Sequence, residues 1–185
     1  HLGIPVREVL DGAATKPFAF LSHSPGCGVG GHCIPVDPYY LIEHAQNQGF
    51  EHRFLKLARE INKAMPKYAV EKLKRAVGRQ WGRGSRDQGH PNESRGDSLE
   101  SLDLRGVRVA LLGLAYKRDV ADLRESPALE IEKVLREEGA EVCTFDPFVP
   151  EHSSVRTLHE ALVQADAIVL ATDHTAFRAL RPSDL

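Results

Sequence analysis

Val107-Arg-Val-Ala-Leu-Leu-Gly-Leu-Ala-Tyr-Lys-Arg-Asp-Val-Ala-Asp-Leu-Arg-Glu-Ser-Pro127 is the stretch that decides the fold class. Val107 to Leu112 is an apolar, β-rich run of the kind buried on both faces of a parallel sheet. Gly113 to Lys117 reads as a loop. Ser126 then supplies an N-cap and Pro127 a pre-set first helical residue, opening a helix with Leu129, Ile131, Val134 and Leu135 on its apolar stripe. Gly139 ends that helix. A second strand is expected over Glu141 to Phe145, closed by Asp146-Pro147, and a third over Ala167 to Ala171 after a helix from about Leu158 to Gln164. Alternating strands and helices predict an open parallel α/β sheet with right-handed crossovers. A glycine after the first strand and an acid after the second invite a dinucleotide reading, with Asp146 on a ribose. Gly113 stands alone, however, rather than in Gly-x-Gly-x-x-Gly, and about a dozen residues separate it from the helix, which argues against a nicotinamide site here.

Upstream, residues 78–98 change character: Arg, Gly, Ser, Asp and Gln dominate, and Trp81 is the one large apolar residue. Such a stretch cannot bury enough surface to order itself, so 78–103 is expected to be a flexible linker or insertion. Its Arg-Gly pairs do not make a nucleic-acid segment, because acids are interleaved and aromatic stacking residues are scarce. Before it, Phe54, Leu57, Ala58, Ile61 and Met65 repeat at helical spacing, and Ala69, Val70, Leu73 and Val77 continue the stripe. Pro66 lacks an amide donor and is expected to break or restart the helix. Lys67, Lys72, Lys74 and Arg75 read as a solvated face, or alternatively as an anion-binding surface. Val6, Val9 and Leu10 belong to a short amphipathic pattern or a turn leading into one.

Chemistry concentrates in Ser24-Pro-Gly-Cys-Gly-Val-Gly-Gly-His-Cys-Ile-Pro-Val-Asp-Pro-Tyr-Tyr-Leu41. Glycine without a Cβ lets the backbone approach a ligand closely and point several amides at one anion. Cys33 ends the run, and Pro35 and Pro38 stiffen the chain just beyond it. A helix is expected beyond Pro38, closed by Gly49, with Asp37 on its N-cap side. A thiol near a helix N-terminus is a favoured nucleophile. Three readings stay open on chemistry alone: a reactive Cys33, a buried apolar cysteine, or a metal site from Cys27, His32 and Cys33. The adjacency of His32 and Cys33 makes joint chelation awkward.

Gly-Val-Gly-Gly-His-Cys-Ile-Pro-Val-Asp-Pro-Tyr-Tyr-Leu resembles the catalytic loop of the UDP-glucose/GDP-mannose dehydrogenase family. His32 and the Pro-Val-Asp-Pro run resemble the branch that acts on UDP-N-acetylmannosamine or UDP-N-acetylglucosamine. Gly113 to Ala128 resembles the signature of that family's C-terminal UDP-binding domain. The resemblance implies an α/β chain: part of a helical central, dimer-forming domain over 1–77, then an open parallel Rossmann-like UDP-binding domain over 104–185. It implies Cys33 as nucleophile and Asp37 as a residue orienting water. Ser24, Pro25, Gly26, Cys27, Gly28, Val29 and Gly30 would hold the sugar and diphosphate, with Tyr116 and Lys117 lining the nucleotide-sugar site. Arg124, with Cys33, would face the NAD side, unless Arg124 is spent on Asp122 or Glu125. Lys16 would reach a neighbouring subunit's substrate, unless it is a solvated lysine. NAD is the implied cofactor, a UDP-sugar the implied ligand, and a homodimer the implied assembly.

Composition fits that class. The chain has 185 residues, 42% hydrophobic and 27% charged, with a net charge of −2, which supplies no case for nucleic acid or an anionic membrane. Three cysteines make a poor disulfide framework and suit a reducing cytoplasm. The first residue is His1, so the chain is expected to be a fragment that by itself does not reduce NAD.

Overall fold

The computed structural model describes residues 3–84 and 104–181. Helices α1 (Val6–Ala14), α2 (Asp37–Asn47) and α3 (Arg53–Gly84) form the first part. Strand β1 (Arg108–Leu112), helix α4 (Pro127–Glu137), strand β2 (Glu141–Phe145), helix α5 (Leu158–Leu162) and strand β3 (Ala167–Leu170) form the second. All pairings are parallel and the order is β2-β1-β3, with Val109 opposite Val142 and Ala167. The open parallel sheet read from the sequence is therefore present. The central position of β1 explains its apolar composition, because both of its faces are covered.

Those two faces follow the two-residue period of a strand. Val109 and Leu111 join Val107, Ile131 and Leu135 on the side of α3 and α4, whereas Ala110 and Leu112 join Ala161 and Phe177 on the side of α5. Helix α4 begins as expected: Pro127 follows the N-cap Ser126, whose Oγ accepts from the Ala128 amide and donates to the Leu114 carbonyl at 2.6 Å.

Helix α3 departs from expectation twice. It runs without interruption through Pro66, although Pro66 cannot donate to the Asn62 carbonyl. It also continues to Gly84, so residues 78–84 are helical rather than the start of a linker; residues 85–103 lie outside the described residues. The reason is tertiary. Val70 and Val77 are buried in the core of the sheet, and Lys74 pairs with Glu138 beyond α4 at 2.6 Å, so packing holds a helix that local propensity would end. The pairing also takes Lys74 out of the solvated face expected for it. The second half of α3 thus belongs to the core of the β unit, while its first half carries Phe54, Leu57 and Ile61 exposed. Arg59 lies over the Tyr39 ring and donates to its hydroxyl at 3.2 Å, seating α2 on α3. Asp37 is the first residue of α2 rather than its cap; the cap is Val36, with no side-chain bond. None of the helices described is long and apolar enough to cross a membrane.

Asp146, at the end of β2, is completely buried. Its Oδ2 accepts from the amides of Leu114 and Ala115 at 2.6 and 2.8 Å and meets His174 Nε2 at 2.9 Å. The Asp119 amide donates to His174 Nδ1, so the imidazole is neutral with its proton on Nε2, aimed at the carboxylate. Burial raises the carboxyl pKa, but bonds from Ala115, Phe148, His174 and Leu114 outweigh it and hold the group below its ordinary 3.8. A carboxyl lowered in the native state stabilises the fold above the unfolded value, and that contribution is lost as pH falls through the native one. Urea midpoints should therefore fall for the wild-type chain below pH 3.8. Asp146→Asn should lose about 1–3 kcal/mol at neutral pH and show a flatter acid limb. Parallel acid limbs in the two proteins would remove Asp146 from this role.

Candidate functional site

The thiol loop is fastened to both halves of the chain. The Val29 amide donates to Asn62 Oδ1 at 2.8 Å, and Asn62 Nδ2 donates back to the Val29 carbonyl at 3.1 Å. Asn62 is the residue whose carbonyl Pro66 leaves without a helical donor, and the loop lies over that point. A Cβ on Gly28, which has φ +124°, would sit 3.4 Å from the Asn62 carbonyl oxygen. Toward the sheet, the Gly31 amide donates to the Arg124 carbonyl at 2.9 Å. A Cβ on Gly30 would stand 2.6 Å from the Glu125 carbonyl oxygen and 2.7 Å from Tyr116 Cβ; one on Gly31 would stand 2.8 Å from the Tyr116 ring. The glycines are there because the backbone abuts Tyr116, Glu125 and Pro127.

Cys33 comes next, exposed, in the turn that leads into α2. Its carbonyl accepts from the amides of Val36 and Asp37 at 3.1 and 2.8 Å, so the thiol stands one turn before the helix. Its Sγ lies 3.0 Å from His32 Nδ1. Asp37 is exposed on the first turn of α2. Cys27 differs from Cys33: it packs half-buried against the α3–α4 core, and burial pushes its thiol pKa up. Among the described residues no three His, Cys, Asp or Glu side chains are grouped to hold a metal ion.

The 113–127 loop is built around Asp146. Gly113, with φ +83°, passes so close to Thr172 that a Cβ would meet its carbonyl oxygen at 2.5 Å. Thr172 Oγ1 donates to the Ala115 carbonyl, the Tyr116 amide to the Asp122 carbonyl, and Asp119 accepts from the Thr175 amide and hydroxyl. Arg118 pairs with Asp173. This framework leaves Lys117 exposed, with no hydrogen bond or ion pair to another described residue. Arg124 grips Asp122 through Nε and Nη2, the latter at 2.6 Å. The hydrogen bonds from Arg124 bring the Asp122 carboxyl down to about 2, and the same side-chain bond raises Arg124 further. Of the partners open to Arg124 in the sequence, Asp122 is the one taken, and the guanidinium still stays largely exposed, within electrostatic reach of Tyr116 and Cys33.

Several expected site residues thus converge: Gly30, Tyr116, Cys33 and Arg124 share one region, with Val29 and Gly28 securing its floor. Others do not join it through any described contact. Ser24, Pro25 and Gly26 form an exposed approach to the loop, and Lys16 lies over the Phe18 ring at 5.1 Å. Asn62 and His174 escaped assignment from sequence, whereas Asp122 enters there as a partner of Arg124 and Asp146 as a discounted ribose ligand. Asn62 had a signal, standing four residues before Pro66 in a helical pattern; His174 had none. Asp146 is engaged by Leu114, Ala115 and His174, and Gly113 is a lone glycine. The residues of the sheet unit therefore do not fit a dinucleotide.

Among the described residues, two of the concavities stand out. One, of about 440 Å³, lies at the starts of β1 and β2, beside Arg108 and Glu141, away from the strand ends where open α/β sheets bind ligands. The other, of about 670 Å³, lies between Val29, Asn62, Pro66 and Pro127. Neither holds Cys33 or Lys117.

A thiol loop seated on the carboxyl end of a parallel sheet defines an α/β unit whose exposed thiol comes from outside the sheet. Residues 1–64 match the UDP-glucose/GDP-mannose dehydrogenase family, central domain, and residues 110–185 match the UDP binding domain of the same family. The chain belongs to the UDP-glucose/GDP-mannose dehydrogenase family. It is 36% identical over 181 residues to a UDP-N-acetyl-D-mannosamine dehydrogenase of Pyrococcus horikoshii, covering 96% of this chain and 36% of that protein. The structure of the UDP-D-ManNAc dehydrogenase from Pyrococcus horikoshii superposes with a TM-score of 0.76 at 33% identity, over 97% of this chain and 37% of the other. An NDP-N-acetyl-D-galactosaminuronic acid dehydrogenase from Methanosarcina mazei gives 0.77 at 27% identity, over 97% and 36%. The chain therefore spans a little over a third of the length of these relatives.

Gly30→Ala tests the docking of the loop, because its Cβ meets backbone that no rotamer change can clear. The expected cost is about 1–3 kcal/mol, with faster amide hydrogen exchange over residues 24–36 and unchanged protection of β1. Unaltered exchange in the loop would mean that it is not seated against Tyr116 and Glu125.

Proposed function

We propose that this chain is part of an NAD-dependent nucleotide-sugar 6-dehydrogenase, which oxidises the C6 alcohol of a UDP-N-acetylhexosamine to a uronic acid. The observation that carries the reading is the seating of the thiol loop on the UDP-binding signature: Gly31 bonded to the Arg124 carbonyl, and Gly30 packed against Tyr116. A nucleotide sugar bound by that signature would have its sugar end directed to Cys33.

In this reading Lys117 supplies a compact positive charge to the diphosphate, and Tyr116 bounds the nucleotide-sugar site. Backbone of Ser24 to Gly30, including Pro25, Gly26, Cys27 and Val29, borders the sugar and diphosphate. NAD supplies the hydride acceptor, and its binding fold is not built by the residues described. Arg124 faces that side of the site. Cys33 Sγ adds to the carbon of the intermediate aldehyde, giving a thiohemiacetal. Oxidation of that adduct leaves a thioester, and Asp37 orients the water that hydrolyses it. A thiolate divides a difficult oxidation into covalent steps that a hydroxyl serves less well. Lys16 would reach the substrate of a second subunit. The exposed apolar stripe of Phe54, Leu57 and Ile61 favours a homodimer through the helical part. It equally suits a second reading, a UDP-sugar-binding and dimerisation module without catalysis. The free thiols fit the cytoplasm.

Cys33→Ser in the complete protein separates the two readings. Turnover to the uronic acid, followed as reduced nicotinamide, should stop or stall after the first oxidation. Full turnover would overturn the thioester route.

Lys117→Ala should weaken UDP binding about tenfold, the loss of one charge-assisted contact, with NAD affinity little changed. Titration calorimetry with UDP provides the measurement, and an unchanged affinity would return Lys117 to the solvated surface.

A further inference from the structure

The contact between His32 and Cys33 carries chemistry that the proposed oxidation does not yet use. Nδ1 of His32 lies 3.0 Å from Cys33 Sγ, within reach of the thiol proton. Both side chains are exposed, so no packing requirement explains the contact. Charges around the pair come from the 116–127 loop. The Asp122 carboxylate interacts electrostatically with His32, and the Arg124 guanidinium with Cys33. Tyr116 borders Gly31 and Arg124. From α2 the ionisable neighbour is Asp37, whose amide donates to the Cys33 carbonyl.

We propose that His32 is the positioning base of Cys33, receiving the thiol proton on Nδ1 and holding the sulfur as a thiolate–imidazolium pair. The proposal rests on Cys33 being the nucleophile. Asp122 stands where a negative charge favours the imidazolium, and Arg124 where a positive charge favours the thiolate. The ion pair between Asp122 and Arg124 thus serves both partners at once. The step balances within the site. The S–H bond breaks and its proton moves to Nδ1; the sulfur lone pair forms the S–C bond to the aldehyde carbon. The carbonyl electron pair becomes an oxyanion, which takes the proton back from Nδ1. A neutral thiohemiacetal and a neutral imidazole result, with nothing oxidised or reduced.

The test is alkylation of Cys33 by iodoacetamide in the full chain, read by peptide mass spectrometry, with Cys143 in the same digest as reference. His32→Asn keeps a short polar side chain beside the sulfur but cannot take its proton. At pH 7 the variant should react about fivefold or more slowly than wild type. The two rates should converge near pH 9.5, where an ordinary free thiol is largely ionised. Asp122→Asn should shift the rate in the same direction by a smaller factor. Equal rates at pH 7, or a deficit that persists unchanged to pH 9.5, would overturn the proposal, since the second result reports access rather than proton transfer. Alkylation needs neither nucleotide sugar nor NAD, so its outcome is separate from that of Cys33→Ser turnover.

Discussion

One buried carboxylate organises the functional end of the sheet. Asp146 receives two consecutive amides from the loop after β1 and the imidazole of His174 from the segment after β3. Neighbouring strand ends are thereby drawn to a single oxygen. In a medium of low dielectric, such charge-assisted bonds are strong when complete and costly when one is missing. Everything the loop presents inherits its position from this point: Tyr116 against the glycines, Lys117 into solvent, and Arg124 beside the thiol.

The site is composite, and its parts come from stretches about ninety residues apart in sequence. The thiol loop is wedged between Asn62 on α3 and the 116–127 loop, meeting both through backbone. Glycine permits that closeness, and the contacts are accordingly to the Asn62 side-chain amide, to carbonyl oxygens and to the Tyr116 and Pro127 rings. The Cys33 sulfur itself stays outside the wedge, exposed at the mouth of α2. Packed support behind an exposed thiol is the arrangement that the proposed chemistry would require.

How much of this could be read from the sequence depends on the range of the interactions. The strands and α4 were legible because apolar period, N-cap and terminating glycine are local signals, and all fall within a few residues of their place. Cys33, Tyr116 and Lys117 enter as candidates through a resemblance of pattern, not through a contact that spacing encodes. The continuity of α3 was not. Pro66 and the polar run after Val77 both argue locally for an end, and they are overruled by Val70, Val77 and Lys74 packing on a sheet formed much later in the chain. The role of Asp146 was hidden for a related reason, although the lone Gly113 argues against the ribose reading. An acid after the second strand of a βαβ unit reads as a ribose ligand, but here a histidine twenty-eight residues downstream and two loop amides consume its lone pairs. The pairing of Arg124 with Asp122 was one of the local alternatives. Its closeness to Cys33 depended on a tertiary contact that no spacing encodes.

The length of α3 gives the assembly a mechanical property. The helix is held in the sheet's core from Val70 to Val77 and meets the thiol loop at Asn62, about 12 Å from the nearer of the two along its axis. A tilt of about five degrees about Val70 would displace Asn62 by roughly 1 Å, against the Gly31–Arg124 bond that ties the same loop to the sheet unit. That is the scale on which misalignment disables a reacting pair. Substitutions under Val70 and Val77 would thus reach the exposed Cys33 thiol by angle rather than by contact.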